Sequence, residues 1–248
     1  MACFLLLRQI CPEAALNVLV IDVGGSHVKL CATGQSQPRR FRSGKHLTPD
    51  LLVKQVQGET RGWKYDAIAL GYPGDVAADG PARDPANVGR GWVGYEFDKA
   101  FGRPVRIVND AVMQALGGYD GGRMLFVGLG TGLGSALVAE RVAVPLELGC
   151  LPFNARETLA QRLGKDGLSR HGLETWRRGV TWAAQWLCRS FAVDYLVLGG
   201  GNAKNVHPLP PGTRRGGNED AFTGGFRLWE ERVEPHDGQP APTWRIVR

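Results

Sequence analysis

Two aspartates and two glycine-rich turns hold the chemistry that this 248-residue sequence could perform. Asp22 lies at the end of the apolar run "VLVIDV", just before Gly24, Gly25 and Ser26. A second apolar run leads into Gly130, Thr131, Gly132 and Gly134, within "GLGTGLG". Glycines let main-chain amides approach phosphate oxygens, and small hydroxyl side chains such as Ser26 and Thr131 donate hydrogen bonds without crowding. Asp22 would repel a phosphate at the first turn unless it holds, through water, the Mg²⁺ that neutralises that phosphate. Asp110, after Asn109, stands where a strand passes into a helix. A carboxylate there either caps the helix or accepts the proton of a substrate hydroxyl.

The turns match neither standard glycine-rich nucleotide motif. A Walker A loop needs G-x-x-x-x-G-K-[ST], which does not occur, and a dinucleotide fold needs G-x-G-x-x-G opening a helix. "GLGTGLG" comes near the second, yet "SALVA" follows it and reads as a strand. Each turn is therefore expected to join two strands as a hairpin, with Gly24 and Gly25 supplying positive φ in the first. Two strand, turn, strand units at residues 18–32 and 124–139 imply two similar lobes facing a cleft.

Around them, "LLVKQV" has helical spacing, "YDAIALGYPGDV" reads as a strand ending in a turn, and residues 79–94 form a long Gly-, Pro- and Asp-rich loop of the functional kind. "LETWRRGVTWAAQWLCRSF" reads as an amphipathic helix with its tryptophans in the core. "DYLVLGGGNAK" reads as a buried strand, and "DAFTGGFRLWEE" as a helix or a strand. The expected organisation is a mobile extension over 1–16, an N-terminal lobe over 17–108, a C-terminal lobe over 109–232 and a tail over 233–248.

The formal charge of +6 favours anionic partners, but it is well below the dense basic faces of nucleic-acid binders, so no DNA partner is expected. The densest basic cluster is "RRFRSGK", Arg39 to Lys45. Cys3, Cys11, Cys31, Cys150 and Cys188 show no metal-ligand or disulfide spacing, which suits a reducing cytoplasm and no zinc. No membrane-spanning or leader segment is read at the start of the sequence.

Six motifs in order, "IDVGGSHVKL", "GYPGDV", "IVNDAVMQAL", "LGTGLGSALV", "ELG" and "LVLGGG", resemble the ROK family of sugar kinases, over about residues 17–205. "PANVGRGWVG" and "VPLELG" most resemble its polyphosphate/ATP glucokinase branch. The resemblance implies a two-lobed α/β, actin-like (ribonuclease H-like) sugar kinase fold with an interdomain cleft. It implies a first phosphate loop of Asp22, Gly24, Gly25 and Ser26 with Lys29 close by, and a second of Gly130, Thr131, Gly132 and Gly134. Asn87, Asn109, Asp110 and Glu147 would contact sugar hydroxyls, with Asp110 the catalytic base. Gly199, Gly200 and Gly201 would lie beside the nucleoside of a nucleotide donor.

The implied reaction is transfer from polyphosphate or ATP to the 6-hydroxyl of a hexose, glucose foremost, with Mg²⁺, in a protein that is often a homodimer in this family. One departure stands out: Cys150 occupies the place where most catalytic members carry histidine, and a thiol is a weak hydrogen-bonding partner for a sugar. Two other readings stay open on it, a sugar-responsive protein without catalysis and an amino-sugar kinase. The family's repressors carry an N-terminal helix-turn-helix, for which the residues before the first strand leave no room.

Overall fold

The computed structural model describes residues 16–217, 219–233 and 240–248. Residues 1–15 of the expected extension and 234–239 of the expected tail lie outside them. The first half of the chain runs through β1 (Val18–Val23), β2 (His27–Ala32), β3 (Arg39–Arg42), α1 (Pro49–Glu59), β4 (Ala67–Tyr72), the short hairpin of β5 (Val76–Ala77) and β6 (Gly80–Pro81), α2 (Phe97–Phe101), β7 (Val105–Asn109) and α3 (Asp110–Gly118). The second half gives β8 (Arg123–Leu129), β9 (Leu133–Ala139), β10 (Val142–Leu146), α4 (Leu159–Leu163), α5 (Lys165–His171), α6 (Leu173–Ser190), β11 (Tyr195–Gly199), β12 (Thr213–Arg215), α7 (Asp220–Arg227), β13 (Glu231–Val233), β14 (Pro240–Pro242) and β15 (Arg245–Ile246).

The strands form two main sheets, ordered β3-β2-β1-β4-β7 and β12-β11-β8-β9-β10-β15. In each, an antiparallel hairpin (β1–β2, β8–β9) is joined by a parallel strand brought in by a crossover (β4, β11). β1 is buried along its whole length, which explains its unbroken apolar run: as a central strand it has no solvent face. Its alternation splits the core. Leu19, Ile21 and Val23 pack with Trp92 and Phe97 on one side, while Val18 and Val20 face α3 and α7 on the other.

Helices α3 and α7 form the layer between the two sheets, in one core with Ala69 and Val108 of the first sheet and Phe126, Ala136 and Val138 of the second. Their backbones meet closely. A Cβ on Gly224 would lie 1.7 Å from the carbonyl oxygen of Met113, and one on Gly117 1.8 Å from that of Asp220. On α7's other side a Cβ on Gly225 would lie 2.4 Å from Val20. "DAFTGGFRLWEE" is therefore a helix whose paired glycines, poor helix formers, give it room between α3 and β1. It also returns the chain to the first sheet, so a boundary that assigns all of 109–232 to the second lobe does not describe this packing.

Two other expectations are corrected. The tail is not wholly outside the fold: β15 extends the second sheet beside β10, and the N–H of Val247 donates to Ala143 O at 2.9 Å. Of the tryptophans on α6 only Trp176 is a core residue, packed with Val180, Ala183, Ala184 and Leu187. Trp182 and Trp186 are 44% and 55% exposed, because they lie on the helix face away from the second sheet. Among the described residues no helix is long and apolar enough to cross a membrane.

Candidate active site

The first hairpin turn closes through the N–H of Gly24, which donates to His27 O at 3.0 Å. Ser43 pins it from beside β3, its N–H donating to Ser26 O and its hydroxyl to Gly24 O. Neither glycine has positive φ. The expected reason for Gly24 and Gly25 was the wrong one; the actual reason is space. A Cβ on Gly24 would sit 3.0 Å from His27 O, and one on Gly25 3.3 Å from the Cβ of Asn87. Asn87 therefore stands against the hairpin, held by a loop with a buried anchor. Asp84 accepts from the N–H groups of Gly91 and Trp92 at 2.9 Å each, and the fully buried Trp92 ring donates to Gly89 O at 2.8 Å.

In the second hairpin the β8–β9 ladder runs to Leu129↔Leu133, leaving Gly130, Thr131 and Gly132 as the turn. Among the described residues a Cβ on Gly130 or Gly132 would meet nothing within 4 Å, so the turn borders open space; the Gly130 N–H is turned inward, onto Gly128 O and Gly132 O at 3.2 Å each. Gly134 serves packing instead. Its Cβ would lie 2.9 Å from that of Ala111, so β9 lies directly against the first turn of α3, beside Asp110. The Gly199–Gly201 turn backs this hairpin. Gly200, at φ +77°, lies against the Leu129 backbone, where a Cβ would come within 2.8 Å, and the N–H of Asn202 donates to Leu129 O at 3.0 Å. Gly199 is a core position facing the Phe126 ring, and Gly201 borders open space.

Asn109, and not Asp110, is the N-cap of α3. Its side chain accepts from the N–H groups of Ala111 (2.9 Å) and Val112 (3.3 Å), and its amide donates to Gly74 O at 3.0 Å. Only one of its amide hydrogens is left for a ligand. Asp110 is thereby released from capping, apart from one acceptance from the Ala111 N–H at 2.8 Å. Burial first, and then the negative charge of Asp22, push the Asp110 carboxyl up to about 7; the backbone bonds oppose this and Glu147 adds to it. Asp22 is 4% exposed and pairs with Nζ of Lys29 at 3.1 Å, its register partner on β2.

Glu147 follows β10 and begins the short helical turn that ends in Cys150, whose N–H donates to Glu147 O at 3.0 Å. The Glu147 carboxyl is held above its usual range, first by desolvation on its inner side and then by Asp75, with Arg83 opposing. Asn109, Glu147 and Asp75 line one cavity of about 230 Å³ between the sheets, together with Val112 and Arg248. Cys150 is exposed and does not line it, nor does Asp110. The structure thus brings together Asp22, Lys29, Asp110 and Glu147 by charge, and Asn109 with Glu147 by a shared cavity.

Asp75, Arg83 and Arg248 were missed. Asp75 lies within "GYPGDV" and was there to be read; Arg248 carried no local signal. Its guanidinium donates to Ala78 O at 2.8 Å, and more weakly to the Ala77 and Ile107 carbonyls, fastening the strand beside β10 to the first lobe.

Among the described residues no three His, Cys, Asp or Glu side chains are grouped to share a metal ion. Mg²⁺ does not require such a cage, since it usually keeps several waters and takes one or two carboxylates plus substrate phosphates. Asp22 uses one oxygen on Lys29 and, among the described residues, has no hydrogen bond to the other, so its donor set fits an ion held mainly by a donor's phosphates.

No family model matches the sequence, and no curated protein matches it. Solved structures do. The inorganic polyphosphate/ATP-glucomannokinase from Arthrobacter sp. strain KM superposes with a TM-score of 0.74 at 21% identity, over 85% of this chain and 97% of that one. A ROK family glucokinase from Streptomyces griseus, solved with glucose and AMPPNP, gives 0.69 at 14% identity over 86% and 98%. The ROK hexokinase from Thermus thermophilus gives 0.63 at 20% identity over 85% and 97%. With two mixed sheets flanking α3 and α7 and a glycine hairpin in each, the chain has the α/β fold of the ROK-family sugar kinases.

Proposed function

We propose that the protein is a hexose kinase that transfers a phosphoryl group from polyphosphate or ATP to the 6-hydroxyl of its sugar, with glucose as the first candidate. The observation that carries this reading is Asp110: a carboxyl freed from helix capping by Asn109, pushed up to about 7, and coupled to both Asp22 and Glu147. A base of that strength is matched to accepting a hydroxyl proton near neutral pH.

In this reading Asn109, Glu147 and Asn87 orient the sugar, and Asp110 takes the proton of its primary hydroxyl. The freed oxygen attacks the donor's terminal phosphorus while the bond from that phosphorus to its bridging oxygen breaks, leaving ADP or a shortened chain. Phosphoryl transfer needs mainly positioning and charge neutralisation. The N–H of Gly132, the hydroxyls of Ser26 and Thr131, and Lys29 supply donors for the phosphate oxygens. Mg²⁺, held near Asp22 when bound, would add the charge neutralisation that phosphate transfer requires. Gly200 and Gly201 border the space a nucleoside would take if the donor is ATP.

The test is a panel of hexoses and amino sugars against both donors, with Mg²⁺, in a coupled assay. Formation of a hexose 6-phosphate is expected. Sugar binding without turnover by either donor would instead support a sugar-responsive protein without catalysis, and preference for an N-acetylated sugar would support the amino-sugar reading.

A further inference from the structure

The basic cluster at Arg39–Lys45 divides between the two faces of the first sheet. In an antiparallel ladder directly paired residues point to the same face, and neighbours along a strand alternate. β2 and β3 pair His27↔Arg42, Val28↔Phe41, Lys29↔Arg40 and Leu30↔Arg39. Val28, Leu30 and Phe41 belong to the core on the α1 side, and Arg39 goes with them, its guanidinium lying 4.7 Å from the centre of the Trp63 ring. The other face is fixed by Asp22, which pairs with Lys29, and by Val20 and Cys31, which pack towards α3 and α7. Lys29, Arg40, His27 and Arg42 therefore line the face that looks across the cleft, in two alternate rungs either side of Val28↔Phe41 that start at Asp22 and the first glycine turn.

All four side chains are exposed, and among the described residues neither Arg40 nor Arg42 has a carboxylate within 4.0 Å. Like charges set directly opposite one another, as Lys29 and Arg40 are, weaken a sheet. Lys29 is answered by Asp22, but Arg40 opposite it has no carboxylate partner among the described residues and adds only repulsion to the rung.

We propose that Lys29, Arg40 and Arg42 form a docking strip for the outer phosphates of a linear inorganic polyphosphate, while its terminal phosphate occupies the hairpin turns. This rests on the phosphotransfer reading above for its donor, but it can fail separately. A linear polyanion suits the strip better than a single-stranded nucleic acid, because the strip carries no Phe, Tyr or Trp on which bases would stack. A nucleotide's short phosphate chain would end at the turns.

The test is titration calorimetry of the full chain with pyrophosphate, long-chain polyphosphate and a single-stranded oligonucleotide, at several salt concentrations. The variants are Arg40→Gln/Arg42→Gln and, as a charge-loss control on the opposite face, Arg39→Gln. The double variant should bind long chains about tenfold or more weakly, with a salt dependence shallower by up to about two counterions, and should bind pyrophosphate as the wild type does. Its Tm should be unchanged or higher, since the repulsive rung is gone. Arg39→Gln should leave long-chain affinity unchanged.

Equal losses for pyrophosphate and long chains, equal losses in Arg39→Gln, or oligonucleotide binding as tight as that of polyphosphate would each overturn the strip. Long-chain binding lost in the double variant, in a protein that transfers no phosphate from polyphosphate, would retain the strip and refute polyphosphate as the donor.

Discussion

Replacing Asp110 by Asn should make the protein more stable at neutral pH while abolishing transfer. An ordinary aspartate ionises at 3.8, and Asp110 in the folded protein at about 7. Because the folded-state value is raised, the folded protein holds the proton more tightly than the unfolded chain. Stability is therefore fully present at low pH and is lost as pH rises from about 4 to about 7, at up to about 1.4 kcal/mol per pH unit. The ceiling is about 4 kcal/mol. Asp110 keeps partial access to the cleft, so water relieves part of this, and about 1–2 kcal/mol is the expected gain at pH 8. Asparagine keeps the acceptor for the Ala111 N–H and removes the charge facing Asp22 and Glu147. Urea denaturation of both proteins at pH 8 and pH 5 measures the difference, which should shrink on acidification. A variant no more stable than wild type at pH 8, or a gain independent of pH, would refute the placement of a strained carboxylate here.

The same ionisation predicts that kcat/KM rises with pH through about 7 and levels above it, and a flat profile from about pH 6 to about pH 8 would remove Asp110 as the base. Asn109→Ala loses the α3 cap and the bond to Gly74 O, and should cost about 1–2 kcal/mol in denaturant melts; a silent substitution would contradict the cap. Gly224→Ala drives a Cβ into the Met113 carbonyl and should cost about 3 kcal/mol or more, or prevent soluble expression. Near-normal stability would show that α3 and α7 can separate cheaply.

Where local chemistry decides structure, the sequence was readable. "VLVIDV" and "RMLFVGL" are strands because their β-branched and apolar residues fill central sheet positions, and the hairpins follow from the turns between them. Asp110 could be picked out because a carboxylate and an amide meet at a strand-to-helix junction. The division of labour there could not: which of Asn109 and Asp110 caps α3 depends on side-chain direction.

What stayed hidden depends on residues distant in sequence. Gly24 and Gly25 look like positive-φ glycines, yet the constraint on Gly25 comes from Asn87 in another loop. Gly224 and Gly225 read against a helix by propensity, and only contact with Met113 and Val20 explains them. β15 is a two-residue edge strand whose pairing with β10 has no periodic signature, and Asp75 meets Glu147 only when the two halves of the chain close on each other. The basic cluster was visible from composition, but its division between faces required the β2–β3 register.

The most direct test of the account is phosphorus NMR of the purified protein with Mg²⁺, glucose and either ATP or polyphosphate. Appearance of a sugar 6-phosphate resonance with wild type, and its absence with Asp110→Asn, is the predicted result. No sugar phosphate from any hexose with either donor, or the same rate from the Asn variant, would contradict the assignment of this cleft as a sugar-phosphorylating site with Asp110 as its base.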